Sequence, residues 1–93
     1  MGARYTIIYE TTVIREDIPR LDTTWRRFIE SAIEEKLTTR PEVFGKPLRQ
    51  SLKGHRALRI GDYRVAFRIE RANVKIFAIG HRSYIYELLR KRL

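Results

Sequence analysis

No cysteine occurs in these 93 residues, which removes disulfides, thiolate metal sites and a cysteine nucleophile from consideration. Histidine is nearly as scarce. His55 and His81 are the only two, and neither belongs to a His/Asp/Glu cluster at ligand spacing, so no metal centre is expected. Gly54 and Gly61 stand seven positions apart at opposite ends of a strand pattern, which is not a glycine-rich phosphate loop, and no G-x-S-x-G elbow occurs. No cofactor is expected. Apolar runs are short. None approaches the roughly 18 residues of a membrane span, and the N-terminal MGARYTIIYETT lacks the apolar length of a signal peptide. Met1-Gly2 has only a superficial likeness to a myristoylation start, because Ala3, Arg4 and Tyr5 lead into a strand before Thr6. The expected location is the cytoplasm, with no membrane partner.

What is present is positive charge, unevenly placed. The formal net charge is +9. Residues 1–39 hold six Lys/Arg against seven Asp/Glu, and residues 40–93 hold fourteen against four. The entire excess therefore sits in the second part of the chain. Such a concentration fits a polyanionic partner, with an acidic protein or membrane surface as the alternatives. With 43% hydrophobic and 33% charged residues the chain reads as one folded domain over residues 1–93, too short for two cores.

The pattern along the chain predicts an α+β domain in the order β-α-α-β-β-β-α. Tyr5–Tyr9 is aromatic and β-branched, a first strand. Thr11-Thr12 can cap a helical stretch Val13–Leu21, which Pro19 either kinks or delays. After Asp22 or Thr23 as N-cap, Trp25, Phe28, Ile29, Ala32, Ile33 and Leu37 recur at helical spacing, and the Trp25/Phe28 stripe is read as core. Pro41 ends that helix. Residues 42–54 read as a basic loop. Leu58 and Ile60 alternate with Ala57 and Arg59. Gly61-Asp62 then turns the chain, and Val65, Phe67 and Ile69 alternate with Arg64, Ala66 and Arg68. After a second turn at Arg71-Ala72-Asn73, VKIFAIG is apolar at nearly every position, as in a central strand. Ser83 can cap a final helix whose end carries Arg90, Lys91 and Arg92, where positive charge suits the dipole. About four strands are expected in an antiparallel sheet, with the two N-terminal helices on one face and a short C-terminal helix.

If the helices cover the Val65/Phe67/Ile69 face, Arg59, Arg64 and Arg68 form a guanidinium patch on the other, overhung by His81, Arg82, Tyr84 and Tyr86. These residue types suit metal-independent RNA cleavage, in which the 2′-OH attacks the adjacent phosphate. Fixed arginines stabilise the phosphorane charge, a histidine or tyrosine moves a proton, and aromatic rings stack on splayed bases. Solvated strand arginines and a structural tyrosine are the plainer alternative for the same residues.

The run RALRIGDYRVAFRIE, followed by VKIFAIG and GHRSYIY, resembles the signature of the RelE/ParE toxin superfamily. The matching residues are the hairpin Leu58-Arg59-Ile60-Gly61-Asp62-Tyr63-Arg64-Val65, then Gly80-His81-Arg82, closing on Tyr86. The resemblance implies a toxin of a toxin-antitoxin pair. RelE-type members resemble ribosome-dependent mRNA endoribonucleases. In that reading Arg64 holds the scissile phosphate, Arg82 stabilises the transition state, Tyr86 stacks or moves a proton, and His81 takes an acid/base role. Lys53, Arg56, Arg59 and Arg68 then contact RNA. ParE-type members instead poison DNA gyrase, and a non-toxic polyanion-binding module is a third reading. Some relatives carry two lysines on the strand before the Asp-Tyr-Arg arginine; here that strand offers His55, Ala57 and Arg59, which leaves the base open. The implied partners are a cognate acidic antitoxin that wraps the basic surface, in a complex that can be of higher order, together with mRNA and the ribosome.

Overall fold

A computed structural model describes residues 4–93; Met1, Gly2 and Ala3, and with them the myristoylation reading, lie outside the described residues. Strand β1 (Thr6–Tyr9) leads into a π-helical turn, Val13–Asp17, that runs directly into α1 (Ile18–Arg20). Pro19 falls within α1, just beyond the π-helical turn, and the wider turn absorbs the ring and the missing N–H where a regular helix would be broken. Helix α2 (Thr23–Ala32) starts at Asp22, whose carboxylate accepts the Trp25 N–H at 2.9 Å, and extends through a second π-helical turn, Ile33–Leu37. The loop expected over 42–54 contains more order than its composition suggested. Pro41 begins a short helix α3 (Pro41–Phe44), β2 (Lys46–Pro47) follows, and Gln50–Leu52 forms a 3₁₀ turn. Strands β3 (Arg56–Ile60), β4 (Tyr63–Glu70) and β5 (Asn73–His81) and helix α4 (Ile85–Arg92) complete the chain.

The sheet has five strands rather than about four, in the order β1-β5-β4-β3-β2. The meander β3–β4–β5 is antiparallel, as the tight turns dictate. β1 adds to β5 in parallel, with Thr6 opposite Asn73, so the sheet is mixed. The parallel sense follows from the connection: two helices carry the chain across one face before it returns through the meander. β5 is therefore an interior strand, bonded on both sides, as its apolar composition predicted, while β4 occupies the centre.

Two cores flank the sheet. On one face Val13, Ile29, Ile33 and Leu37 of the helices pack on Leu58, Val65, Phe67, Val74, Ile76 and Ile79. On the other, Ile85 and Leu89 of α4 pack with Leu52 on Ala66 and Ala78. The arginine-bearing face is thus not wholly open: α4 covers its middle, where Ala66 and Ala78 are small enough to admit a helix. A β-bulge makes this possible. Ala66 opposes Ala78 but Phe67 opposes Ile76, so Phe77 is the extra residue and joins Ala78 on the α4 side. The Trp25/Phe28 reading needs correction as well. Trp25 packs partly against the helix-side core, but Phe28 is 61% exposed.

The far end of α4 is tied down by a buried ion pair. Arg92 donates from both terminal nitrogens to the two Asp17 oxygens at 2.7 Å and from Nη1 to the Phe77 carbonyl at 2.9 Å, while Asp17 accepts the Ile79 N–H at 2.9 Å. The hydrogen bonds that Arg92 donates to Asp17 raise its pKa above the ordinary value. The backbone partners are the bulge residue Phe77 itself and Ile79 two positions on, so one ion pair joins helix, sheet and π-helical turn.

Candidate functional site

The β3–β4 pairing sets Arg59 directly opposite Arg64. Like charges placed opposite each other in a sheet are destabilising, and no carboxylate is paired with either among the described residues. Arg64 is half-buried and donates from Nη1 to the carbonyls of Gly61 and Tyr63 at 2.8 and 2.9 Å. This folds its guanidinium back over the turn and leaves its remaining N–H groups available. Gly61 itself takes φ +60°, and a Cβ there would lie 2.9 Å from the Trp25 ring. The turn therefore needs glycine both for its backbone and for the aromatic packed on it.

Two adjoining clefts meet at Arg64 and Tyr86. One, of about 480 Å³, is lined by Arg64, His81, Arg82, Ser83 and Tyr86. The other, of about 180 Å³, is lined by Lys46, Leu48, Ala57, Arg59, Arg64 and Tyr86. Neither wall carries a carboxylate. The β4–β5 register brings His81 beside Tyr63 and Gly80 beside Arg64, and α4 sets Tyr86, on its first turn, over the junction.

The end of β5 is held in detail. The Ser83 N–H donates to His81 Nδ1 at 3.1 Å, and Ser83 Oγ lies 2.9 Å from the same nitrogen. A backbone N–H only donates, so Nδ1 is an acceptor and the neutral imidazole carries its proton on Nε2. The Tyr63 ring meets the His81 ring edge-on at 5.8 Å. The Arg82 N–H donates to the Asp62 carbonyl at 2.7 Å, which ties the β5 end to the β3–β4 turn. The Arg82 Nε also lies 3.6 Å from the Asp62 carboxylate, with both side chains largely in solvent.

Of the nine residues singled out in the sequence, five converge here: Arg59, Arg64, His81, Arg82 and Tyr86; Tyr84 is exposed and lines neither cleft. Arg56 does not join the five. It lies on the helix-side face with Leu58 and Ile60, and its Nη1 donates to the Glu42 and Gly45 carbonyls at 3.1 and 2.9 Å, which closes the end of α3. Arg68 stands at the other end of β4, opposite Lys75 and 3.6 Å from Glu70. Lys53 is exposed beside the 3₁₀ turn and lines neither cleft. Three contributors were missed. Ser83 was read only as a helix cap, Lys46 only as loop charge, and Asp62 only as a turn residue. The Gly61-Asp62 and His81-Arg82-Ser83 segments both sit at strand ends of one hairpin edge, and that adjacency was the available signal.

Comparison with known proteins identifies the family and the fold. Residues 5–86 match the family described as the ParE toxin of the type II toxin-antitoxin system parDE. The chain is 36% identical over 87 residues to toxin RelG of Mycobacterium tuberculosis, covering 88% of this chain and 95% of that one. The structure superposes on a chain of the RelBE2 toxin-antitoxin complex of M. tuberculosis with a TM-score of 0.80, at 31% identity, covering 87% of this chain and 94% of the other. The RelB–RelE antitoxin-toxin complex of Methanococcus jannaschii shares the fold, with a TM-score of 0.67 at 18% identity over 86% and 95% of the two chains. The chain belongs to the RelE/ParE superfamily of toxins from type II toxin-antitoxin systems.

Proposed function

We propose that this toxin is a metal-independent endoribonuclease that cuts mRNA on the ribosome. The observation that carries the reading is the facing pair Arg59 and Arg64, unpaired by any carboxylate, in the clefts shared with Arg82, His81 and Tyr86. An anion compensates that concentration of charge, and a scissile phosphate is an anion on which charge grows during reaction.

In the reaction the 2′-oxygen bonds to phosphorus as its proton leaves. The bond to the 5′-oxygen then breaks, and that oxygen takes up a proton. Arg64, steadied by the Gly61 and Tyr63 carbonyls, holds a non-bridging oxygen, and Arg82, largely in solvent beside Asp62, closes on the phosphorane from the other side. Ser83 fixes the tautomer of His81, so Nε2–H is a donor in the resting site. His81 becomes a proton acceptor at Nε2 only in the other tautomer, with the proton moved from Nε2 to Nδ1 and donated there to the Ser83 hydroxyl. That makes Ser83 the switch between the two roles. Tyr86 stacks on a flanking base or relays the remaining proton. Lys46 and Arg59 contact the adjacent phosphates. Each positioned proton-transfer group is worth about 10²–10⁴-fold.

The partner in the cell is a cognate antitoxin, as in the toxin-antitoxin complexes that share this fold. An acidic segment that folds over the basic face neutralises it and covers the clefts, and charge of this magnitude speeds the encounter.

A second reading is favoured by the family matched over residues 5–86, which is that of ParE toxins: a non-enzymatic poison of DNA gyrase. One experiment separates the two. The chain is induced without a partner, and mRNA ends and DNA integrity are mapped in the same cells for wild type and Arg82→Ala. Cleaved translated mRNA that disappears in Arg82→Ala supports the nuclease. Growth arrest with intact mRNA and broken DNA overturns it in favour of the gyrase reading.

A further inference from the structure

Phe28 is placed at core spacing on α2 and yet is 61% exposed. Its ring stacks on Trp25 with centroids 5.9 Å apart and an interplanar angle of 28°. Trp25 in turn meets Tyr63 at 4.7 Å, and Tyr63 meets His81 at 5.8 Å. The four rings form one continuous path. It leaves the cleft at His81, rounds the β3–β4 turn where Gly61 lies against Trp25, and ends on the outer face of α2. An aromatic run that only filled core would end in buried rings; this one ends in an exposed one.

The surroundings of the outer end select its ligand. Phe28 lines a surface cleft of about 430 Å³ with Thr23, Thr24, Arg27 and Ser31, which holds one cation, three hydroxyls and no carboxylate. Asp22, next to Thr23 in the chain, is engaged as the cap of α2. Glu30 and Glu34 line the adjoining groove, which shares Ser31 with this one, and bound the cleft on that side. An exposed ring backed by partly buried ones and flanked by guanidinium and hydroxyl groups suits single-stranded nucleic acid, in which every base offers a π face and every linkage a phosphate.

We infer that Phe28, Trp25 and Tyr63 form a second binding surface for single-stranded RNA, on which a nucleotide outside the cleavage cleft stacks against Phe28 while Arg27 meets its phosphate. The inference rests on the RNA-cleavage reading for its choice of strand, and its test is independent of cleavage.

Trp25 is the only tryptophan and stacks on Phe28, so its emission reports binding, which the Phe28 variants assign to this surface or to the cleft. The probe is a hexa-adenylate carrying 2′-O-methyl groups, which removes the attacking hydroxyl and leaves binding intact. Titrated into wild-type protein, the probe quenches Trp25 saturably, whereas duplex DNA of the same length does not, because its bases are already stacked. Phe28→Leu keeps the apolar bulk and loses the ring, and weakens binding by roughly 5- to 100-fold, the loss of one base stack; Phe28→Tyr retains wild-type affinity. Arg27→Gln weakens binding and flattens its salt dependence. Binding by Phe28→Leu at wild-type strength overturns the inference. Loss in Phe28→Leu together with intact cellular mRNA sinks the cleavage reading and leaves this surface standing. Cleavage with a Phe28-independent probe does the reverse.

Discussion

Arg92 grips both carboxylate oxygens of Asp17 at 2.7 Å although 75 positions separate them in the chain. The Asp17 side chain is 1% exposed, and its remaining capacity goes to the Ile79 N–H at the bulge. Breaking such a pair leaves a charge buried without its partner. Arg92→Leu is therefore expected to lower stability by about 3–5 kcal/mol. The double variant Asp17→Leu/Arg92→Leu is expected to recover part of that loss, because no buried charge is left over. Urea unfolding of the two single variants and the double variant checks this. A double variant as unstable as the sum of the singles would mean that the pair is not a coupled unit.

Two glycines make opposite demands. A Cβ on Gly45 would lie 2.1 Å from Phe67 Cζ, and Phe67 is fully buried between strand and helix. A Cβ on Gly80 would lie 2.7 Å from Tyr84 Cε1, but Tyr84 is an exposed ring that can swing aside. Gly45→Ala is expected to cost about 3 kcal/mol through overpacking and Gly80→Ala less than about 1 kcal/mol. Thermal unfolding of both variants measures the difference, and equal shifts would contradict the packing described for Phe67.

The residues that explain these effects differ in how far sequence reveals them. The alternation of Val65, Phe67 and Ile69 and the Gly61-Asp62 turn are local, so β3, β4 and the facing Arg59 and Arg64 follow from spacing alone. The unbroken apolar run of β5 correctly marks an interior strand. The parallel pairing of β1 is not local: Thr6–Tyr9 finds its partner across two helices. β2 is two residues long and has no period to read. Phe28 shares the spacing of Ile29 and Ile33 but sits at the margin of the stripe, where a few tens of degrees around the helix separate core from solvent. Arg56 and Arg59 look interchangeable as basic residues, yet the period of two puts them on opposite faces, one capping α3 and the other lining the cleft. Asp17 gave no signal, because its burial depends on an arginine at the other end of the chain.

Tyr9 supplies a pH dependence. Burial, then the carboxylates of Glu30 and Glu34, raise its pKa above the ordinary 10.0. The folded state therefore keeps the phenolic proton when the unfolded chain has lost it. That contribution to stability is complete below pH 10 and is lost as pH rises through the folded value. Wild type is expected to lose stability above pH 10 more steeply than Tyr9→Phe, which has no proton to lose. Denaturant midpoints of the two proteins from pH 9 to pH 11.5 test the point. Parallel curves would show that the phenol is not shifted.

Asp62 guards the arginine most directly assigned to the transition state. Its carboxylate lies 3.6 Å from Arg82 Nε, and the two side chains are 68% and 62% exposed. A pair this exposed is worth about 0–1 kcal/mol. The fold depends instead on the Asp62 carbonyl, which accepts the Arg82 N–H at 2.7 Å and is unchanged by a side-chain substitution. Asp62→Asn is therefore expected to leave thermal stability as it is. It removes one negative charge from the mouth of the cleft and frees the Arg82 guanidinium for phosphate. A charge about 4 Å away in water is worth about 1 kcal/mol, so affinity for a non-cleavable oligonucleotide rises about fivefold at low salt. At about 1 M salt, where screening acts within roughly 3 Å, the gain disappears. Fluorescence anisotropy at the two salt concentrations measures both effects. No gain at low salt would show that Arg82 does not meet the phosphate, and a gain that survives high salt would trace the change to shape rather than charge.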